Sequence, residues 1–250
     1  MIKREALISR AKELIDDASS QGVVLRVIGG AAVAILAPQG AAKYFREYKD
    51  VDFFAYSKQR AQVEKFFESR GLIPNKRFNA LYGYKRLMFY DEKLDSTVDV
   101  FFDKFEMCHT IDFRDRLEIM RYTIPPSDLL LTKLQICKMT ESDVKDVFAL
   151  LTDLSLGESD DESTIDLKRI VQILSDDWGF YTTVTDNINN LFQINPEGEV
   201  AEKLRKILQA VESAPKTLKW KMRAKVGRKV KWYQEPEEVE TFKQNAGGGI

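Results

Sequence analysis

Three short runs of β-branched and aromatic residues fall before the pair Pro125 and Pro126, where the texture of the chain changes. Residues 23–28 (VVLRVI), 51–56 and 97–102 (TVDVFF) have strand composition, and 78–90 predicts a hairpin with its turn near Gly83. Helical spacings interleave them. Leu7, Ala11, Leu14, Ile15 and Ala18 predict a first amphipathic helix. Residues 31–36 predict a short one, which Pro38 and Gly40 break. Residues 57–70 predict a third, with Val63, Phe66 and Phe67 on one face. Such a mixture predicts an α/β or α+β layer structure. Beyond Pro126 the texture is helical. Ser127 reads as an N-cap for a helix through DLLLTKLQICKM, and further helices are expected over 142–154, 166–175 and 198–213. The acid-rich run 157–166 (GESDDESTID) reads as a solvated, inert loop. The end, NAGGGI, reads as a frayed tail, and no internal repeat stands out.

Composition removes several function classes. At 44% hydrophobic and 11% aromatic residues the chain can build a core, which excludes global disorder. The 38 basic and 39 acidic residues exclude polyelectrolyte behaviour of the whole chain. Two cysteines, Cys108 and Cys137, make no disulfide framework and point to a reducing compartment. One histidine, His109, excludes any zinc site that needs two. Its neighbour Cys108 would point away from it on an extended chain, so both cysteines are read as small core residues and not as half of a dyad. The longest uncharged apolar window, 27–42, carries three Gly and one Pro and is too short to span a membrane. With an amphipathic first helix in place of a signal peptide, the expected location is cytoplasmic.

Three carboxylates stand out. On a strand, Asp50 and Asp52 point to one face while Val51 enters the core. Two carboxylates so close repel unless a cation lies between them, and hard oxygen ligands suit Mg²⁺ or Mn²⁺. Asp99 faces away from Val98, Val100 and Phe102 in an apolar strand, a costly place for an acid without a partner. Asp103 lies on the same side, about 13 Å further along by strand rise, too far to share a metal with it. Gly29 and Gly30 sit where a strand hands over to a helix, which allows close approach of a ligand to backbone and helix N–H groups.

Gly29 and Gly30, then Asp50 and Asp52, then Asp99 together resemble the DNA polymerase beta-like nucleotidyltransferase superfamily over about residues 20–105. The span between Gly30 and Asp50 is long, which looks more like the abortive-infection and toxin-type branch. There an Arg-x-Thr-like segment precedes Asp-x-Asp. This chain has Arg46-Glu-Tyr-Lys-Asp50, with Tyr48 in place of the usual Thr. That branch also carries a lysine and an aspartate on the two helices after the core, matched here by Lys133 and Asp146, with Lys145 a weaker candidate.

The resemblance implies a nucleotidyltransferase-fold mixed sheet with flanking helices over 1–122. A mostly helical C-terminal domain would follow over 123–250. It implies transfer of a nucleoside monophosphate from an NTP to an acceptor hydroxyl, with release of pyrophosphate. Asp50, Asp52 and Asp99 would hold Mg²⁺ or Mn²⁺, and Asp99 would assist the acceptor hydroxyl. Gly29, Gly30, Arg46, Lys133 and Asp146 would serve the nucleotide. The acceptor would be RNA, a protein or a small molecule, and a cognate antitoxin is a possible partner.

Residues 215–233 (PKTLKWKMRAKVGRKVKWY) hold eight Lys/Arg and no acid, interleaved with Trp220, Trp232 and Tyr233. Basic side chains among aromatics suit an RNA backbone and stacked bases. The competing reading packs those aromatics on the rest of the protein. Two alternatives to the enzyme stand beside it: a non-catalytic nucleic-acid-binding protein on the same fold, and a metal-dependent nuclease. Three intact carboxylates count against the first, and the Gly-Gly turn against the second.

Overall fold

The computed structural model describes residues 3–194, 196 and 198–235; the expected tail at 245–250 lies outside them. The first part runs α1 (Arg4–Ser20), β1 (Leu25–Ile28), α2 (Gly29–Leu36), α3 (Pro38–Lys43), β2 (Asp50–Ala55), α4 (Arg60–Ser69), β3 (Ile73–Pro74), α5 (Lys76–Tyr82), β4 (Arg86–Asp91), β5 (Ser96–Phe102), β6 (Lys104–Glu106) and β7 (Thr110–Asp112). The second part runs α6 (Pro126–Leu134), α7 (Glu141–Asp153), β8 (Ser155–Gly157), β9 (Thr164–Asp166), α8 (Leu167–Asp176), α9 (Trp178–Gln193), α10 (Gly198–Ser213) and α11 (Leu218–Val226). This is the mixed α/β architecture expected. No described helix is long and apolar enough to cross a membrane.

The main sheet has five strands in the order β1-β2-β5-β4-β3. Only β2 and β5 run parallel; the other pairs are antiparallel. Alternation sorts its faces. Val51, Phe53, Val98 and Val100 are buried on one side, where Phe53 and Phe89 both meet Phe67 of α4. The other side is closed at its far end by Phe54, Phe101, Phe105 and Phe113. Its near end carries the carboxylates. One continuous cluster of buried side chains runs from Leu7 to Val211 and so joins the two parts of the chain.

Pro38 and Gly40 do more than end α2. They open α3, whose N–H groups at Gln39 and Gly40 donate to the Asp153 carboxylate at 2.8 and 2.9 Å. A Cβ on Gly40 would sit 2.3 Å from the Ala149 carbonyl oxygen, so only glycine lets α3 lie this close to α7.

Five local expectations are corrected. The hairpin is not at 78–90 but is made by β4 and β5, because Lys76–Tyr82 is helical, capped by Asn75. Ser127 is not an N-cap. It lies inside α6, and its N–H and hydroxyl donate to Asp160 at 2.8 and 2.6 Å. That helix also stops at Leu134, before QICKM. Nor is the acidic run inert, since the Asp160 side chain is shielded from solvent and pairs with Arg116 at 2.6 Å. Arg116 and Arg169 in turn hold the buried Asp128. A whole helix, α9, falls where the sequence reading placed none. Its apolar face of Phe180, Val184, Ile188 and Leu191 is hidden among Thr and Asn, which favour helices weakly.

Candidate active site

Strand pairing assembles the carboxylates. Asp50 opens β2 and is exposed, Val51 is buried, and Asp52 is half-buried. The parallel register sets Asp52 beside Asp99 of β5. The antiparallel register of β1 sets Asp52 opposite Ile28, immediately before the two glycines. Gly29 has φ +72°, and a Cβ there would meet Asp52 Oδ2 at 3.2 Å. The turn that starts α2 therefore presses its backbone on the Asp52 carboxylate, in a left-handed conformation that glycine adopts freely. A Cβ on Gly30 would fall 2.8 Å from the Arg46 guanidinium carbon, so the guanidinium lies directly against Gly30.

Arg46 is held from two sides. Its Nη1 reaches Asp146 Oδ2 at 2.6 Å, and the guanidinium lies 5.4 Å from the centroid of the buried Tyr48 ring. Tyr48, which departs from the Thr of the resemblance, thus serves as a floor for Arg46. Lys133 of α6 reaches the same Asp146 oxygen at 2.8 Å. The structure brings together Gly30, Arg46, Asp146 and Lys133 beside the Asp50–Asp52 strand. Asp146 is 2% exposed and is placed by the α3–α7 contact at Gly40.

Asp99 has a partner the sequence reading missed. Arg86 donates to it through Nε at 3.0 Å and Nη2 at 2.7 Å. Arg86 is opposite Phe101 on β4, two residues along β5 from Asp99 and on the same face, a diagonal that a long side chain spans. The rings of Phe101 and Phe78 flank its guanidinium at 5.0 and 5.7 Å. The available signal was the cost of burying Asp99, which called for a cation on a neighbouring strand. The misplaced hairpin hid it.

The site carries uncompensated negative charge. Burial, followed by the charges of Asp50 and Asp99, holds the Asp52 carboxyl well above the ordinary carboxylate range, although Arg86 and Lys133 oppose the shift. Burial also raises Asp99, against the Arg86 hydrogen bonds. Such a pair of clustered acids fits a bound divalent cation at Asp50 and Asp52. Asp99 is arranged differently, with both oxygens on Arg86. Among the described residues no group of three or more His, Cys, Asp or Glu is gathered as a ligand set.

The remaining sequence candidates have partners within the fold. His109 stacks on Phe180 at 4.8 Å, bonds Thr183 Oγ1 through Nε2 at 2.8 Å, and is lowered to about 4 by burial. Cys108 is buried, and its sulfur accepts the Cys137 N–H. In the basic segment, Trp220 packs edge-on to Tyr181 and Trp232 donates to Thr183 Oγ1 at 3.1 Å, both against α9. Arg228 pairs with Asp186 and Lys219 with Asp176.

No family model matches the chain, and no curated protein matches it. Among solved structures, the lincosamide antibiotic adenylyltransferase LnuA, lincomycin-bound, aligns with 60% of this chain and 96% of its own at 16% identity and TM-score 0.44. The antibiotic-resistance factor ANT(2'')-Ia aligns with 61% and 85% at 12% identity and TM-score 0.41. An antigenic nucleotidyltransferase-like protein from Paracoccidioides brasiliensis aligns with 86% and 96% at 13% identity and TM-score 0.46. Likenesses this distant say nothing of the chemistry at the Asp50–Asp52 strand, which the geometry of the site has to carry.

Proposed function

We propose that the protein is a nucleotidyltransferase that moves a nucleoside monophosphate from an NTP to an acceptor hydroxyl. The observation that carries this reading is the contact of the Gly29-Gly30 turn with the Asp52 carboxylate on one side and the Arg46 guanidinium on the other. A backbone cradle, a cation and a strand of acids meeting at one point suit a polyphosphate, and little else needs all three.

Asp50 and Asp52 would hold Mg²⁺ or Mn²⁺, which when bound supplies charge neutralisation on the triphosphate and the attacking oxygen. The backbone at Gly29 and Gly30 would seat the outer phosphates, with Arg46 and Lys133 facing their charge. Asp146, which anchors both cations through one oxygen, holds them at that spacing. Asp99, raised by burial, is suited to take the proton of the acceptor hydroxyl. The acceptor oxygen bonds to the α-phosphorus, the bond from the α-phosphorus to the bridging oxygen breaks, and pyrophosphate leaves.

Trp220 and Trp232, half-buried with partners on α9, offer less free ring face to a stacked base, which counts against an RNA acceptor. A protein or small-molecule hydroxyl is therefore the favoured acceptor. The Lys133–Asp146 pair suits the toxin-type branch, for which a cognate antitoxin would be the partner. Incubation with each α-labelled NTP and Mg²⁺ or Mn²⁺, in a lysate and then with fractionated acceptors, tests the reading. Labelled product with pyrophosphate release is expected. Shortened RNA without label transfer points to the nuclease instead.

A further inference from the structure

Phe45 is 65% exposed, immediately before Arg46. It lines a cavity of about 480 Å³ together with Arg46, Lys49, Asp50, Glu141 and Lys145. The cavity adjoins the turn, because Arg46 belongs to both: its guanidinium lies on Gly30, and the residue is part of the cavity wall. A ligand whose phosphates lie at Gly29 and Gly30 has its other end within reach of this space.

We propose that the cavity seats the nucleobase of the NTP, with Phe45 as its stacking face. This rests on the nucleotidyl-transfer reading above and adds to it the residues that read the base. Three features select a base over other occupants. An aromatic ring left in water next to a catalytic carboxylate gains most from another π-face. The walls are otherwise polar, which suits a heteroaromatic edge and not an alkyl chain. Glu141 and Lys145, paired at 2.6 Å across one helical turn of α7, offer an acceptor and a donor side by side. The Watson–Crick edge of every base presents a donor beside an acceptor.

The test is calorimetric titration of ATP, GTP, CTP, UTP and inorganic tripolyphosphate into the intact chain with Mg²⁺. Wild-type protein is expected to bind at least one NTP more tightly than tripolyphosphate. Phe45→Ala is expected to raise the Kd for that NTP roughly 5- to 100-fold, the worth of one base–aromatic stack. Tripolyphosphate affinity should stay unchanged, and Phe45→Trp should restore NTP affinity. Glu141→Gln should change the ranking of the four NTPs. The exposure of Phe45 keeps these variants folded. Equal wild-type affinity for NTP and tripolyphosphate, or unchanged NTP affinity in Phe45→Ala, overturns the base site while nucleotidyl transfer stands. Failure of the wild type to bind either probe overturns both readings.

Discussion

Arg86 grips Asp99 with two parallel hydrogen bonds, 3.0 and 2.7 Å long, from the strand beside it. The one deeply buried member of the three carboxylates is thereby the one whose charge is already answered. The grip is bidentate and backed by two rings, so it fixes orientation as well as charge.

Removing that cation leaves a buried carboxylate alone. Breaking a fully buried pair costs about 3–5 kcal/mol. The Arg86 side chain keeps 24% of its exposure, so Arg86→Gln is expected to lose about 1–3 kcal/mol in urea unfolding at pH 7. The deficit should narrow as the pH falls through the raised pKa of Asp99, since the protonated acid no longer needs the cation. A deficit that is constant from pH 8 to pH 4 would show that Arg86 serves packing alone.

Asp50 and Asp52 form an unbalanced cluster, with Asp52 desolvated and facing both other acids. In chelator, Asp52→Asn is therefore expected to melt above the wild type. Mn²⁺ should raise the wild-type melting temperature and leave Asp50→Asn and Asp52→Asn unmoved. Transfer should be lost in both variants. Full activity in Asp52→Asn would sink the catalytic assignment.

Gly30→Val places a branched side chain where the Arg46 guanidinium now lies, 2.8 Å from the Cβ position. The guanidinium can swing away, so the variant should fold. Its Kd for NTP is expected to rise by at least about tenfold, the loss of one charge-assisted contact. Its Mn²⁺ affinity should match the wild type. Calorimetry that finds NTP binding intact in the folded variant rejects the phosphate role of the turn.

His109 gives the acid limb of stability. Burial lowers it to about 4, so the folded state holds it neutral. A depressed histidine contributes stability that is present above its unfolded pKa and lost as the pH falls from about 6.5 towards 4. The loss should reach on the order of 3 kcal/mol near pH 4, set by the distance between the ordinary and the lowered value. His109→Gln can keep a hydrogen bond to Thr183 and should flatten this part of the curve. Unfolding free energies measured at pH 7, 6, 5 and 4 decide it, and identical slopes in the two proteins would remove His109 as the cause.

Local rules made much of the site readable beforehand. The two-residue period of a strand places Asp50 and Asp52 on the face opposite Val51, and Asp99 opposite Val98 and Val100, whatever the strands pair with. The two glycines mark a strand-to-helix turn by the conformations they permit. Helical spacing located α7, α8 and α10 to within one residue of their observed ends, and marked the buried face of α1.

Pairing between distant segments was decided only by the tertiary structure. That β2 lies beside β5 in parallel, with Asp52 against Asp99, is a matter of sheet order, and no local period encodes it. The same holds for Arg86, which reaches Asp99 only because β4 and β5 form the hairpin and Lys76–Tyr82 coils into a helix. Arg46 lies 100 residues from Asp146 and follows α3, which Gly40 lets settle on the backbone of α7, while Lys133 reaches the same carboxylate from α6. The Trp residues of the basic segment turned towards α9, since burying large aromatic area outweighs leaving it in water. Residue type and spacing fix which way a side chain points from its own element. What it points at depends on the packing that buries the most apolar surface with every buried charge answered.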